Sequence, residues 1–258
     1  MKLLVLALLL VGLAGCTSTP KKEMTYKVDG VTHTGYVASG AKEGEKKPGI
    51  IVVHEWWGHN DYARKRVDML ADLGYVAMSI DMYGEGKQAD HPKDAGAFMK
   101  ESMSNIDLAE KRFKTALEIL KSRDDVDTSK IAGIGYCFGG AVVLHMARAG
   151  VEMNLVASFH GSLKAMKEAN KSTFKPSHVM VFNGAKDPMI TKEDIAGFAK
   201  EMKGLDAKYT FENYPNALHA FTNKGATEKG KKFKLPLAYD KEADMDSWKQ
   251  FTEALSKL

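Results

Sequence analysis

Cys137 lies in the octet GIGYCFGG, Gly133 to Gly140, where Gly135-Tyr136-Cys137-Phe138-Gly139 fits a nucleophile with a glycine two places to either side. Such a nucleophile sits on a sharp strand-to-helix turn, and the glycines are needed because its backbone runs hard against the neighbouring strand and helix. A sulfur at a helix start lies at the positive end of the macrodipole, which favours thiolate, the form that attacks. The backbone N–H of Phe138 is then free for an oxyanion. Taken alone, the octet leaves two readings equally open: a nucleophile, and an inert thiol used as packing.

Two later residues favour the first reading. Asp187 follows a strand in VFNGAKDPMI, and His219 follows another in YPNALHAF; fifty positions separate Cys137 from Asp187, and 32 separate Asp187 from His219. Singly, Asp187 reads as a loop or helix-capping residue and His219 as a solvated histidine. Jointly they match the chain order nucleophile, acid, histidine of α/β-hydrolases. Among the other histidines, His160 ends a central strand before Gly161 and is a candidate for the pocket wall. His145 reads as helix packing, and His33, His59, His91 and His178 as loop or strand-end residues without partners. No CxxC, HExxH or comparable ligand spacing occurs, so neither a metal nor any other cofactor is expected.

The elements that must hold these residues alternate along the chain. MTYKVDGVTHTGYVAS (24 to 39) reads as a hairpin turning at Asp29-Gly30. GIIVVHEWWG (49 to 58) is a buried strand that delivers a loop. A helix at 61 to 75, a strand at 76 to 84, and one long amphipathic helix ending near Ser122 come next. The strand 130 to 137, a helix from Gly139 to Ala149, strands at 154 to 161, 178 to 187 and 208 to 214, and helices at 192 to 202 and 240 to 257 complete the pattern. Strands alternating with helices of this length predict an α/β fold, three layers deep, with a mostly parallel central sheet covered on both faces. The stretch KGKKFK (229 to 234), like KEGEKKP (42 to 48), reads as a solvated loop.

The chain has 258 residues, 44% hydrophobic and 27% charged, enough for one sizeable core. Its formal charge of +4 is spread along the sequence, without the basic stripe that nucleic-acid binding needs. A monomer is expected. The N-terminus MKLLVLALLLVGLAGCTSTPKKE carries an apolar run too short for a mature membrane span, which needs ~20 residues. It reads as a secretory signal over residues 1–15. Ala14-Gly15-Cys16 resembles a bacterial lipobox, so Cys16 is the expected lipidation site and membrane anchor, with 16–23 as tether and 24–258 as the folded domain. Thr17 is not the aspartate of an inner-membrane retention signal, which points to the outer membrane, facing the periplasm. Lipidation of Cys16 would leave Cys137 without a disulfide partner.

The motifs VVHEWWGHN, DMYGEG, GIGYCFGG, NGAKDPMI and LHAF, in this order and spacing across 25 to 257, resemble the dienelactone hydrolase family of α/β-hydrolases. The resemblance implies Cys137 as nucleophile, Asp187 as orienting acid and His219 as base. It implies that Glu55 contacts the resting thiol and accepts its proton, and that the N–H groups of Trp56 and Phe138 form the oxyanion hole. Hydrolysis of a small ester or lactone through a cysteine acyl-enzyme is the expected activity.

Members that cleave dienelactone are similar to one another in carrying two arginines that hold a substrate carboxylate; Glu85 and Asn223 occupy those places here, and Ala220 replaces a serine after the base. A preference for neutral esters follows, with Trp57, Tyr83, Glu85, His160 and Asn223 as the expected pocket. Two other classes compete: a catalytically silent lipoprotein that binds a ligand on the same fold, and a thiol redox sensor. The presence of all four chemical positions argues against the former, and the lack of a resolving cysteine against the latter.

Overall fold

The computed structural model describes residues 21–258, so the signal segment and Cys16 lie outside the described residues. The hairpin consists of β1 (Lys21–Val28) and β2 (Val31–Ser39), joined by Asp29 and Gly30 at φ 49° and 84°. Both turn residues are left-handed, which matches the twist of the flanking strands. Residues 21–23 are strand rather than tether: β2 runs on to Ser39 and offers Lys21, Lys22 and Glu23 the partners Ala38, Val37 and Tyr36, and Lys21 reaches Asp68 at 3.0 Å.

Beyond the hairpin come β3 (Lys47–Val53), α1 (Asp61–Asp72), β4 (Val76–Ile80), α2 (Pro92–Met103), α3 (Ile106–Lys121), β5 (Val126–Tyr136) and α4 (Phe138–Arg148). They are followed by β6 (Leu155–Phe159), β7 (His178–Gly184), α5 (Lys192–Gly204), β8 (Tyr209–Tyr214), α6 (Ala226–Phe233) and α7 (Lys241–Leu255). The eight strands form one sheet in the order β1-β2-β4-β3-β5-β6-β7-β8; β2 is antiparallel to both its neighbours and the other pairs are parallel. Successive side chains of β3 alternate between the two faces. Ile51 and Val53 join Leu117 and Leu120 of α3, Val142 of α4 and Phe198 of α5, while Ile50 and Val52 join Leu70 of α1 and Phe251 of α7. The result is the three-layer α/β-hydrolase architecture. Among the described residues no helix is long and apolar enough to cross a membrane.

Two elements depart from the sequence reading. The long helix is two helices, because the Asn105 side chain accepts from the Leu108 N–H and restarts the helix as α3, while the Ser104 hydroxyl closes α2 on the Glu101 carbonyl. KGKKFK is not a loop but most of α6, which uses Lys229 to cover Trp57, Nζ lying 3.8 Å from the ring centroid.

Three of the histidines expected to lack partners are buried or half-buried and paired, because polar groups placed between strands must be satisfied. His33 Nδ1 donates to the Asp81 carbonyl at 2.9 Å, His59 joins Thr34 at 3.2 Å to Ser79 at 2.7 Å, and His178 meets Thr210 at 2.9 Å. The fourth, His91, is exposed and accepts from the Lys93 N–H as the cap of α2. His145 is buried in α4, 3.3 Å from Glu110.

Burial pushes His59 down to about 3, the charge of neighbouring His54 adding to the effect. The folded state therefore resists the proton that the unfolded chain takes up near the ordinary value of about 6.5. Stability is full above that value and is lost as pH falls from there toward 3. At about 1.4 kcal/mol per unit, the loss reaches roughly 2 kcal/mol by pH 5. The drop in Tm between pH 7 and pH 5 is expected to be smaller in His59→Gln by about 4–8 °C, whatever its absolute Tm. Equal drops in the two proteins would contradict the assignment.

Candidate active site

The C-terminal ends of β3, β5, β6, β7 and β8 meet at one edge of the sheet, where open parallel sheets hold their ligands. β5 ends in the turn at Cys137, whose φ of 54° and ψ of −114° cost a non-glycine residue ~1–3 kcal/mol. Its neighbours show why the motif demands glycine. A Cβ on Gly135 would lie 2.0 Å from the Gly139 carbonyl oxygen, and one on Gly139 would lie 2.3 Å from that of Val53. The turn is pinned from below by the Cys137 N–H, which donates to the Phe159 carbonyl at 3.0 Å and to His160 Nδ1 at 3.1 Å, and beside it by the Gly139 N–H, which donates to the His54 carbonyl at 3.1 Å.

His160 accepts through Nδ1, so its proton is on Nε2, which donates to Thr222 Oγ1 at 2.7 Å. Thr222 in turn meets Tyr62 Oη at 2.6 Å, and Arg66 ties the cluster together: it donates to the Thr222 carbonyl at 2.8 Å, to Asp244 at 2.7 Å and to Tyr62 Oη at 3.3 Å. Burial pushes His160 well down, so the ring stays neutral and its lone pair remains available to the Cys137 N–H. His160 therefore lies beneath the nucleophile instead of lining a pocket.

Asp187 and His219 are both buried, 4% and 6% exposed, and His219 Nδ1 donates to Asp187 Oδ2 at 2.7 Å. Asp187 Oδ1 accepts from the Met189 N–H at 2.9 Å, which fixes the carboxylate. With Nδ1 committed to Asp187, Nε2 is the nitrogen left for Cys137. Burial works against an imidazolium at His219, but the Cys137 thiolate charge, the Asp187 hydrogen bond and a hydrogen bond with Cys137 outweigh it and raise His219 to about 10.

Glu55 makes no hydrogen bond to the thiol. Its Oε2 accepts from Asn223 Nδ2 at 2.6 Å, and the buried Oε1 has no partner. The short amide of Asn223 reaches the carboxylate from the loop after His219 and holds it there. Burial pushes the Glu55 carboxyl up, against the lowering effects of Asn223, His219, Lys229 and Arg66. Neither the Trp56 N–H nor the Phe138 N–H hydrogen-bonds within the described residues, and both residues flank Cys137 at one cavity of about 650 Å³.

The cavity is lined by Trp56, Cys137, Phe138 and His219, and by none of the five residues expected to form the pocket. Trp57 turns inward and is buried with Ala95, Ala226 and Leu237. Tyr83 is buried and donates from Oη to the Trp56 carbonyl at 2.9 Å. Glu85 is exposed outside the cavity: Asp81 gathers the N–H groups of Tyr83, Gly84 and Gly86, curling that loop back until the Glu85 N–H meets the Thr32 carbonyl at 2.6 Å. Asn223 and His160 are used as described above. The residues missed in sequence are His54, which donates from Nδ1 to the Glu55 carbonyl and accepts from the Met82 N–H at 3.2 Å, and the group Tyr62, Arg66 and Thr222.

Residues 34–258 match the model of the dienelactone hydrolase family. The chain is 29% identical to protein usf of Aquifex pyrophilus over 77% of its length and 85% of that protein's. It is 28% identical, with the same shares covered, to a protein of Aquifex aeolicus strain VF5 whose name makes it a candidate carboxymethylenebutenolidase. A solved dienelactone hydrolase-like promiscuous phosphotriesterase from metagenomic libraries superposes with a TM-score of 0.86 at 28% identity, over 93% of this chain and 98% of that one. With the fold, the site geometry and the family model in agreement, the chain belongs to the dienelactone hydrolase family and is an ester or lactone hydrolase.

Proposed function

We propose that the protein hydrolyses carboxylic esters or lactones through a thioester at Cys137. The observation that carries the reading is buried Asp187 and His219, hydrogen-bonded to each other, behind half-buried Cys137, with His219 raised to about 10 by its interactions with Cys137 and Asp187. Cys137 attacks the ester carbonyl carbon as thiolate; the C–S bond forms and the carbonyl π pair moves to oxygen, facing the N–H groups of Trp56 and Phe138. Each such donor is worth ~3 kcal/mol of transition-state stabilisation. The tetrahedral adduct collapses, the C–O bond breaks, and the leaving alkoxide takes the proton of the His219 imidazolium. His219, now neutral, removes a proton from water as it attacks the thioester, and the thiolate leaves with the acid as product.

Glu55 is buried, has one oxygen without a partner and is pushed toward its protonated form, so it sets little negative charge against the Cys137 thiolate, whose proton His219 carries in this scheme. Asn223 Nδ2 holds Oε2 of this carboxyl at 2.6 Å. We also propose that Cys16 is lipidated and anchors the domain in the outer membrane, facing the periplasm, on the strength of the lipobox-like LAGC in the sequence.

Replacing the nucleophile tests the reading. Cys137→Ala is expected to keep the far-ultraviolet circular dichroism of the wild type and to lose at least a thousandfold in kcat on a short ester. More than about a tenth of wild-type activity would remove Cys137 as nucleophile. Cys137→Gly is equally inactive in this account but more stable than Cys137→Ala by about 1 kcal/mol, because glycine adopts the positive φ without strain. Matching melting curves would mean that the turn stores no strain. Cys16→Ser should move the protein from the membrane fraction to the soluble fraction without changing ester turnover. A variant retained in membranes would refute the anchor.

A further inference from the structure

We propose that the active-site cavity is a channel for a linear acyl chain of about six to ten carbons, so that the substrates are medium-chain acyl esters and not small polar lactones. This rests on the thiol-hydrolase reading and names the acyl group it serves. The cavity holds about 650 Å³, in the range of about 300–1,000 Å³ that accommodates a drug-sized ligand and far more than an acetyl group fills.

Its walls are mostly apolar, with Met99 and Met103 from α2, Ala141 and Val142 from α4, Met166 after β6 and Met189 after Asp187, and beyond the catalytic residues only Ser162 and two lysines bring polar groups. The two lysines among the lining residues, Lys100 and Lys164, are exposed, so their ammonium heads can stay in water while their stems cover the rim. No arginine lines the cavity, so a substrate carboxylate finds no bidentate partner there.

Thioether side chains are unbranched and adapt to irregular apolar partners, which suits a flexible chain better than one rigid ring. Met166 and Met189 are 40% and 48% exposed at the mouth, an unusual placement for large apolar side chains, and a bound chain would cover them.

The chain belongs to the acyl half of the substrate. Phe138, Ala141 and Val142 are spaced three and four residues apart, so they share one face of α4 and line a path that leads from the sulfur along the helix. The leaving alcohol must instead stay beside His219, whose proton it takes.

Gly96 offers a way to close the channel. It lies on α2 in the cavity lining, and a Cβ built there meets no atom within 4 Å, so a side chain starts in open space and removes a helix-weakening glycine.

The experiment measures kcat/KM of the purified chain on 4-nitrophenyl acetate, butyrate, hexanoate and octanoate, and on methyl to octyl acetates. At ~0.8 kcal/mol for each buried methylene, the acyl series should rise about threefold or more per added carbon through octanoate. Gly96→Phe should lower the octanoyl-to-acetyl ratio tenfold or more. A flat or falling acyl series, a ratio unmoved by Gly96→Phe, or a rise confined to the alcohol series overturns the proposal while leaving the thiol-hydrolase reading intact.

A second measurement is independent of turnover. In Cys137→Ala, octanamide should displace the apolar dye 1-anilinonaphthalene-8-sulfonate at concentrations at least tenfold lower than butanamide does, and Gly96→Phe added to that variant should abolish the difference. Equal displacement by the two amides overturns the channel even if no ester is cleaved.

Discussion

The backbone at Cys137 is the constraint on which the rest of the site depends. A non-glycine residue at φ 54° persists only because the surrounding structure over-determines it. Gly135 and Gly139 let three segments approach within distances that no Cβ would survive, and the Cys137 N–H is held by both the Phe159 carbonyl and His160. The second of these hydrogen bonds exists because Thr222, Tyr62, Arg66 and Asp244 fix the tautomer of a buried, neutral imidazole. A polar cluster on the α1 and α7 side of the sheet thus sets where the sulfur stands on the other, and it works only when every member is satisfied.

With the sulfur placed, electrostatics select its chemistry. His219 is flanked by Asp187 and Cys137, and its interactions with them overcome the burial that would otherwise keep the ring neutral. Glu55 is nearby and buried, yet its one bonded oxygen is taken by Asn223. A second carboxylate touching the sulfur would have opposed thiolate formation. Asn223, which in sequence looked like a missing cation in the substrate pocket, acts on the carboxylate. The apolar character of the cavity points toward a neutral acyl group.

Much of this was legible in the sequence, for physical reasons that differ by residue. The parallel strands read as continuous β-branched runs because both faces of the sheet are covered, and the Asp29-Gly30 turn declares a hairpin by its left-handed residues. Cys137, Asp187 and His219 stand out because each must follow a strand in a fixed chain order. The pocket was not legible. Trp57, Tyr83 and Glu85 sit at strand ends, as pocket residues do, but loop curvature set by the Asp81 carboxylate and by α6 decides which side chains turn inward. Nor could Arg66 and Thr222 be found, since they lie 156 positions apart and their role is a hydrogen bond at that separation. The break at Ser104 and Asn105 was missed because α2 and α3 pack their apolar residues on one cluster with one periodicity, and only the Ser104 and Asn105 caps divide them.

The central claim is that Cys137 becomes covalently acylated during turnover. It is tested most directly by rapid acid quench of the purified chain with a 4-nitrophenyl ester, followed by mass spectrometry of the peptide that contains Cys137. The account predicts an added acyl mass on Cys137, removed by hydroxylamine and formed at a rate no slower than turnover. An acyl group on another residue, or steady turnover while Cys137 is fully blocked by an alkylating agent, would contradict it.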